Sequence, residues 1–267
     1  MNIDESCRVK DYLTKTKLEI YDYVINPYVG CPHKCLYCYA TYMSSFSKHS
    51  ETWGEFLDVK RTNKKINTFK IKGKKLMIST VTDPYNCYEE KYKITRMILE
   101  QLIKSEAYID IVTKSKLVLR DIDLFKQLKY TNIVISICLL DEGVKKKLEP
   151  NSSSIAERIE TLKVLKQNGI KTTVFISPII PFITDYKQII ETTKDFVDEY
   201  WFDMLNLRGS FRIKMFKFIS DEFPSYKSIY EDIYKKKSTK YFEELSLEIS
   251  KYCEENKINY KNFLPAT

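Results

Sequence analysis

Six short β-type runs, separated by runs of helical periodicity, limit the folds open to this chain more than any other feature of it. The strand-like runs are residues 23–29, 75–80, 107–113, 132–139, 171–176 and 201–207, and helical spacing recurs over 39–46, 92–105, 121–128, 154–168 and 186–200. When each strand is followed by a helix, the chain is carried back to the edge it started from, so successive strands pair in parallel. Six such units fall short of the eight that close a TIM barrel, and the pattern predicts an α/β fold built as a partial, open (β/α)6 TIM barrel. Its site is expected at the carboxyl ends of the strands. Asn168-Gly169 supplies a left-handed cap for the helix over 154–168, and Ser152 to Ser154 supply its N-cap candidates. Beyond residue 208 the pattern changes to two helical segments, 210–234 and 239–256. In the second, Phe242, Leu245, Ile249 and Tyr252 form an apolar stripe suited to packing on the barrel. The expected organisation is a barrel core with its N-terminal segment over 1–208 and a helical extension over 209–267.

The first twenty residues carry Asp4, Glu5, Arg8 and several lysines with no apolar core, so they do not read as a secretory signal. The longest apolar stretch, 174–183, is interrupted by Ser177, Pro178 and Pro181 and is too short to span a bilayer, which predicts a cytoplasmic protein without a membrane partner. Six glycines leave no glycine-rich phosphate loop. The net charge is +8, and the run 60–75 holds Lys60, Arg61, Lys64, Lys65, Lys70, Lys72, Lys74 and Lys75 with no acidic residue. Such a run fits a nucleic-acid partner, and it fits a solvated face in a chain rich in lysine throughout.

Seven cysteines occur, and three of them fall within eight positions, while Cys7, Cys87, Cys138 and Cys253 are scattered. An odd number with one tight group suits a metal site rather than a disulfide framework. The group is Cys31-x3-Cys35-x2-Cys38, with Tyr37 directly before the third cysteine, on the loop between the first strand and the first helix. Three thiolates on a short loop can each bind one iron of a [4Fe–4S] cubane, which leaves the fourth iron without a protein ligand. A structural zinc site is the competing reading, with His33 or His49 as the fourth ligand, although no second cysteine pair accompanies the first.

The cysteine spacing with its aromatic residue resembles the radical S-adenosylmethionine (SAM) superfamily, and the wider phrasing is similar to its spore-photoproduct-lyase-like branch. The matching stretches are residues 26–40, Ser79-Thr-Val-Thr-Asp-Pro-Tyr85 with Thr95-Arg96, Thr113-Lys114-Ser115, Ile135-Ser136, Glu149-Pro150 with Arg158, and Ser177-Pro-Ile-Ile-Pro181. The resemblance implies that Cys31, Cys35 and Cys38 hold the cluster and that SAM chelates the open iron. Reductive cleavage of SAM then yields a 5′-deoxyadenosyl radical for hydrogen abstraction, with an electron donor such as flavodoxin or ferredoxin as partner. It also implies that Tyr37 packs around the adenine, that Lys114 and Ser136 contact SAM, and that Thr82 and Asp83 lie where the superfamily binds the SAM amino group. Each has a plainer reading: Asp83 before Pro84 as a turn residue, Ser136 as a satisfied polar group in a sheet, Lys114 as a solvated charge. Glu149 and Arg158 read as a structural ion pair.

The chain departs from the branch at one telling place. The lyase that repairs spore photoproduct uses a cysteine directly before a Thr-Ser-Asp-like sequence as a hydrogen-atom donor, and here that position is Thr80, in Thr80-Val81-Thr82-Asp83. A threonine O–H bond is much stronger than a thiol S–H, so the repair reaction does not carry over with the resemblance. Tyr37 and Tyr39, which flank the third cysteine, do match the lyase and are candidate catalytic residues; both also fit as packing residues. Cys87, seven residues beyond Thr80, is the candidate replacement thiol, ahead of Cys138. The expected function is a radical SAM enzyme with a nucleic-acid substrate. A peptide or small-molecule substrate is the first alternative, which the lack of a late cysteine cluster weakens. A zinc-bound nucleic-acid-binding module is the alternative from another class.

Overall fold

The computed structural model describes residues 1–207, 211–235 and 239–265. The domain boundary expected between 208 and 209 and the helix start expected at 210 lie outside these residues. In chain order the strands are β1 (Asn2–Asp4), β2 (Leu13–Lys15), β3 (Tyr23–Ile25), β4 (Tyr28–Val29), β5 (Phe56–Val59), β6 (Lys75–Ile78), β7 (Tyr108–Thr113), β8 (Tyr130–Ser136), β9 (Lys171–Ile179), β10 (Glu199–Met204) and β11 (Tyr260–Asn262). The helices are α1 (Thr68–Ile71), α2 (Glu89–Tyr92), α3 (Ile94–Leu102), α4 (Ile122–Phe125), α5 (Glu142–Leu148), α6 (Ile155–Gln167), α7 (Tyr186–Thr193), α8 (Phe211–Glu222), α9 (Lys227–Lys235) and α10 (Lys240–Glu255).

The fold is mixed α/β around a large parallel sheet. Among the described residues that sheet has eight strands in the order β11-β10-β9-β8-β7-β6-β3-β2, and it is open, with β11 and β2 at its edges. Every neighbouring pair is parallel except β2 with β3. Strands covered on both faces favour continuous apolar runs, which is why residues 133–135 at the centre of β8 are buried, isoleucine, valine and isoleucine in turn. Ile25, Ile78, Ile111, Ile135, Ile176 and Phe202, one from each strand from β3 to β10 in this sheet, are buried in a common core. Each such side chain contributes about 1.5–3 kcal/mol when it leaves water. A second sheet, β1-β5-β4, stands beside the cysteine loop.

The expected strand over 23–29 is two strands in two sheets. Pro27 lacks the N–H that a central ladder needs, so after Asn26-Pro27 the chain leaves β3 and pairs Tyr28 with Val59 of β5. The expected helix over 92–105 begins as α2, breaks at Lys93, whose φ is 52°, and resumes as α3. The residues 39–46 form a 3-10 helix, and the helix expected to reach 200 ends at Thr193, with Glu199 already in β10. α6 is as expected at both ends: Ser154 and Glu157 form a capping box, and Gly169 after it has φ 71°. Beyond α8 and α9 the chain does more than pack helices on the sheet. Phe242 and Ile249 of α10 enter the core, and β11 then adds a parallel strand to β10, Tyr200 opposite Tyr260. Among the described residues no helix is long and apolar enough to cross a membrane.

Candidate active site

The cysteine loop leaves β4 at Gly30, whose φ is +85° and whose place a side chain could not take: a Cβ there would stand 2.3 Å from the Phe56 carbonyl oxygen. Three bonds pin the loop to the carboxyl ends of the sheet. Thr82 Oγ1 donates to Gly30 O at 2.6 Å, Asn151 Nδ2 donates to Pro32 O at 2.8 Å, and Leu36 N donates to Leu148 O at 2.8 Å. Cys31, Cys35 and Cys38 are half-buried free thiols. Burial pushes the Cys31 thiol up to about 12, with Asp83 and Cys38 adding to it. Burial likewise lifts Cys35, helped by Glu149 and by its two fellow cysteines. The three sulfurs therefore share one neighbourhood.

Both histidines have other partners. His33 is buried with Nδ1 3.4 Å from Asp83 Oδ2, and burial lowers its pKa against the pull of that carboxylate. His49 Nε2 lies 2.5 Å from Asp58 Oδ1, and its ring stacks on Phe56 with centroids 4.0 Å apart. Among the described residues no three His, Cys, Asp or Glu side chains are gathered tightly enough to hold a single ion.

Behind the loop lies a buried network. Tyr37 is turned inward and its phenol donates to Glu149 Oε1, while Arg158 Nη2 donates to Glu149 Oε2. Arg158 Nη1 also donates to the Ser136 carbonyl at 2.9 Å, and the Cys138 thiol donates to Glu149 Oε1 at 3.5 Å. Burial alone would raise the Glu149 carboxyl, but Arg158 and Lys114 outweigh it and hold the group well below the carboxylate range, at about 2. Lys114 Nζ sits 5.8 Å from the Tyr37 ring centroid. Its burial opposes the charge, and Glu149 and Cys35 more than restore it. The expected ion pair of Glu149 with Arg158 is thus present, and it carries Tyr37, Lys114 and the Ser136 backbone with it.

Thr82 and Asp83 are hydrogen-bonded within the chain. Asp83 Oδ1 accepts from Tyr85 N at 2.9 Å and from Thr113 Oγ1 at 2.7 Å, and its Oδ2 accepts from Lys114 N at 2.8 Å beside His33. Both oxygens are engaged in joining the end of β6 to the end of β7 and to the cysteine loop. Tyr39 donates to the carbonyl of Thr80, so the candidate tyrosine meets the position where the lyase carries its donor cysteine. Cys87 is exposed, and among the described residues no hydrogen bond ties it to the cysteine loop, Tyr39 or Thr80. Cys138 is 2% exposed within the Glu149 network.

The basic run is divided between two ends. Lys75 opens β6, so Lys72, Lys74 and Lys75 lie at the amino end of that strand, whereas Lys60 and Lys64 lie toward the other end, Lys60 N donating to Pro27 O at 3.3 Å. Lys64 faces Asp11 at 2.6 Å, Lys72 faces Glu106 at 3.3 Å and Lys74 faces Asp22 at 3.5 Å. A groove of about 590 Å³ also opens at the amino ends, lined by Lys171, Glu199 and Tyr260 among others, whereas parallel sheets bind ligands at the opposite ends.

Three further residues complete the site. Asn26 Oδ1 accepts from Thr80 N at 2.8 Å and Val81 N at 3.2 Å, clamping β3 to the loop after β6. Trp53 has a buried indole N–H beside the cysteine loop. Asp203, at the end of β10 near Tyr39, accepts among the described residues only from its neighbour Met204 N at 2.9 Å, and burial lifts its carboxyl to about 6.

A loop bearing three free thiols, held at the carboxyl ends of a parallel α/β sheet, defines the class of protein, and comparison with known families agrees. The family model of the radical SAM superfamily matches residues 25–196, more than half of the chain, and the chain belongs to that superfamily of enzymes. Its relatives include the uncharacterized protein MJ0683 of Methanocaldococcus jannaschii, 41% identical over 78% of this chain and 79% of that one. The uncharacterized protein ORF301 of Acidianus two-tailed virus is 29% identical over 70% of this chain and 68% of its own. Among solved structures the fold is similar to spore photoproduct lyase complexed with dinucleoside spore photoproduct, with TM-score 0.60 and 15% identity over 83% of this chain. It is also similar to Streptococcus suis SuiB bound to precursor peptide SuiA, with TM-score 0.56 and 18% identity over 90% of this chain. The chain spans 66% of that lyase chain and 48% of the SuiB chain.

The superfamily implies a [4Fe–4S] cluster and SAM, and the donor set fits: three free thiols in one neighbourhood, no disulfide among them, and beside Cys38 a buried N–H donor without an acceptor among the described residues.

Proposed function

We propose that this chain cleaves SAM reductively at a [4Fe–4S] cluster held by Cys31, Cys35 and Cys38, and that the 5′-deoxyadenosyl radical so formed abstracts hydrogen from a nucleic-acid substrate. The observation that carries this reading is the convergence of the three-thiol loop with Tyr37, Lys114, Ser136 and Glu149 at the carboxyl ends of β7 and β8. The architecture is read as a partial (β/α)6 barrel with the C-terminal region packed on it, working in the cytoplasm with flavodoxin or ferredoxin as electron donor.

This chain's own residues orient and shield. Lys114 offers a cation to the SAM carboxylate, Ser136 a hydroxyl at the end of β8, and Thr82 holds the loop through Gly30. Asp83 acts by positioning Lys114 and His33, since both of its oxygens are already engaged. Glu149 and Arg158 fix Tyr37 so that the loop keeps one shape, and Tyr39 closes the mouth at Thr80.

The substrate preference rests on an exposed aromatic row that leaves the cysteine loop. Tyr39, Tyr42 and Phe46 are 53%, 53% and 77% exposed, and adjacent rings lie 6.5 and 6.4 Å apart. Aromatic faces at a site mouth suit stacking of splayed bases, which tolerates any sequence. The spore photoproduct lyase structure with bound dinucleoside supports the same class, and the SuiB complex makes a peptide the competing outcome. The test is anaerobic incubation of reduced, reconstituted protein with SAM and with oligonucleotide or peptide pools, measuring 5′-deoxyadenosine. Stimulation by oligonucleotides that is lost in Tyr42→Ala/Phe46→Ala is expected. Stimulation by peptides alone would overturn the substrate assignment and leave the SAM chemistry standing.

A further inference from the structure

Trp53 lies on the segment between the 3-10 helix Tyr39–Phe46 and β5, and its indole Nε1 is buried and makes no hydrogen bond among the described residues. Buried donors without acceptors are rare in folded proteins, and each asks for an explanation. The indole is held firmly in place. Phe56 meets its ring edge-on with centroids 5.7 Å apart, and Phe56 is itself stacked by His49, which Asp58 holds. The next residue, Gly54, has φ +96°, and a Cβ there would lie 2.8 Å from Lys34 Cγ and 3.4 Å from the Cys31 carbonyl oxygen. Glycine at 54, like Gly30 against Phe56, lets this segment press against the cysteine loop. The group set beside the indole N–H is the Cys38 thiol.

A neutral thiol is a poor acceptor, whereas a thiolate bound to iron is a good one, and hydrogen bonds to cluster sulfurs are among the levers that set a cluster's reduction potential. We propose that the indole N–H of Trp53 donates to the Cys38 sulfur of the loaded cluster and raises its reduction potential. The direction follows from charge: the added electron makes the sulfur more negative, so a donor stabilises the reduced form more than the oxidised one. Trp53 is thus a positioning residue that acts through Cys38, and the inference rests on the reading that Cys38 holds the cluster.

The test uses anaerobically reconstituted holoprotein without SAM. Electron paramagnetic resonance follows a reductive titration of the wild type, Trp53→Phe and, as control, Trp201→Phe, whose indole N–H is also buried without a partner but sits within β10. The potential of Trp53→Phe is expected to be lower than that of the wild type at equal iron content, with Trp201→Phe unchanged. Wild type labelled with indole-¹⁵N tryptophan is measured as well, a readout that does not depend on how Trp53→Phe folds. A ¹⁵N coupling to the reduced cluster is expected in wild type and in Trp201→Phe. Equal potentials in intact clusters, or a lower potential in Trp53→Phe with no ¹⁵N coupling in the wild type, overturn the hydrogen bond and leave the cluster reading intact. Wild type that binds no iron and sulfide overturns both.

Discussion

Replacing Glu149 by leucine strands a buried cation, and the cost is set by what else that cation touches. The Glu149 and Arg158 side chains are 1% and 2% exposed. Without the carboxylate, Arg158 keeps only neutral acceptors among the described residues, the carbonyls of Ser136 at 2.9 Å and Ser153 at 3.1 Å and the Ser152 hydroxyl. Breaking a buried pair from one side costs about 3–5 kcal/mol, and the surviving acceptors put Glu149→Leu near the lower figure, at about 3 kcal/mol. Arg158→Met, which leaves the buried carboxylate with Lys114 and the Tyr37 phenol but without its ion-pair partner, should cost a similar amount. The double variant Glu149→Leu/Arg158→Met removes both charges together and should recover about 2 kcal/mol relative to the sum of the single losses. Urea unfolding of the cluster-free proteins at pH 7.5, followed by circular dichroism, measures all three. Single losses that add within about 0.5 kcal/mol would refute the coupling and the role of this pair in fixing Tyr37.

Lys114→Ala and Ser136→Ala should weaken SAM binding, Lys114→Ala by about tenfold as expected for a lost charge-assisted contact, with iron content unchanged; unchanged SAM affinity in both would show that these are not the contacts. Asp203 gives a pH signature: its folded pKa of about 6 lies above the ordinary 3.8, so the stability it allows is full below about pH 4 and lost as pH rises through 6. After discounting for partial exposure this amounts to about 1–2 kcal/mol, and Asp203→Asn should flatten the wild-type decline between pH 4 and 7 in urea midpoints. Parallel profiles for the two proteins would contradict it. Replacing Lys72, Lys74 and Lys75 by Gln should leave SAM cleavage and its stimulation by oligonucleotides essentially unchanged, because this part of the run sits at the amino end of β6; loss of the stimulation would bring the run back as a substrate contact.

The strands from β3 to β10 of the large sheet were legible because two-sided burial writes itself as apolar runs, as in residues 132–139. The cysteine loop was legible because spacing and residue type together carry its chemistry. The split of 23–29 turns on the missing N–H of Pro27, a signal present in the sequence but outweighed by the apolar run around it. β11 was hidden, since Tyr260–Asn262 is short and partly exposed and becomes a strand only through pairing with β10. Asn26, Trp53 and Asp203 are single polar groups whose meaning comes from neighbours distant in the chain. The basic run is conspicuous in sequence, and the structure pairs Lys64, Lys72 and Lys74 with acidic partners, those of Lys72 and Lys74 at the amino ends of the sheet.

The central claim is that Cys31, Cys35 and Cys38 hold a cluster that cleaves SAM. Anaerobically reconstituted protein, reduced with dithionite and given SAM, is analysed for 5′-deoxyadenosine beside the Cys35→Ala variant. The account predicts about four irons and four sulfides per chain with slow formation of 5′-deoxyadenosine in the wild type, and neither in the variant. Stoichiometric zinc in the purified protein, with no iron uptake after its removal and no 5′-deoxyadenosine, would contradict it.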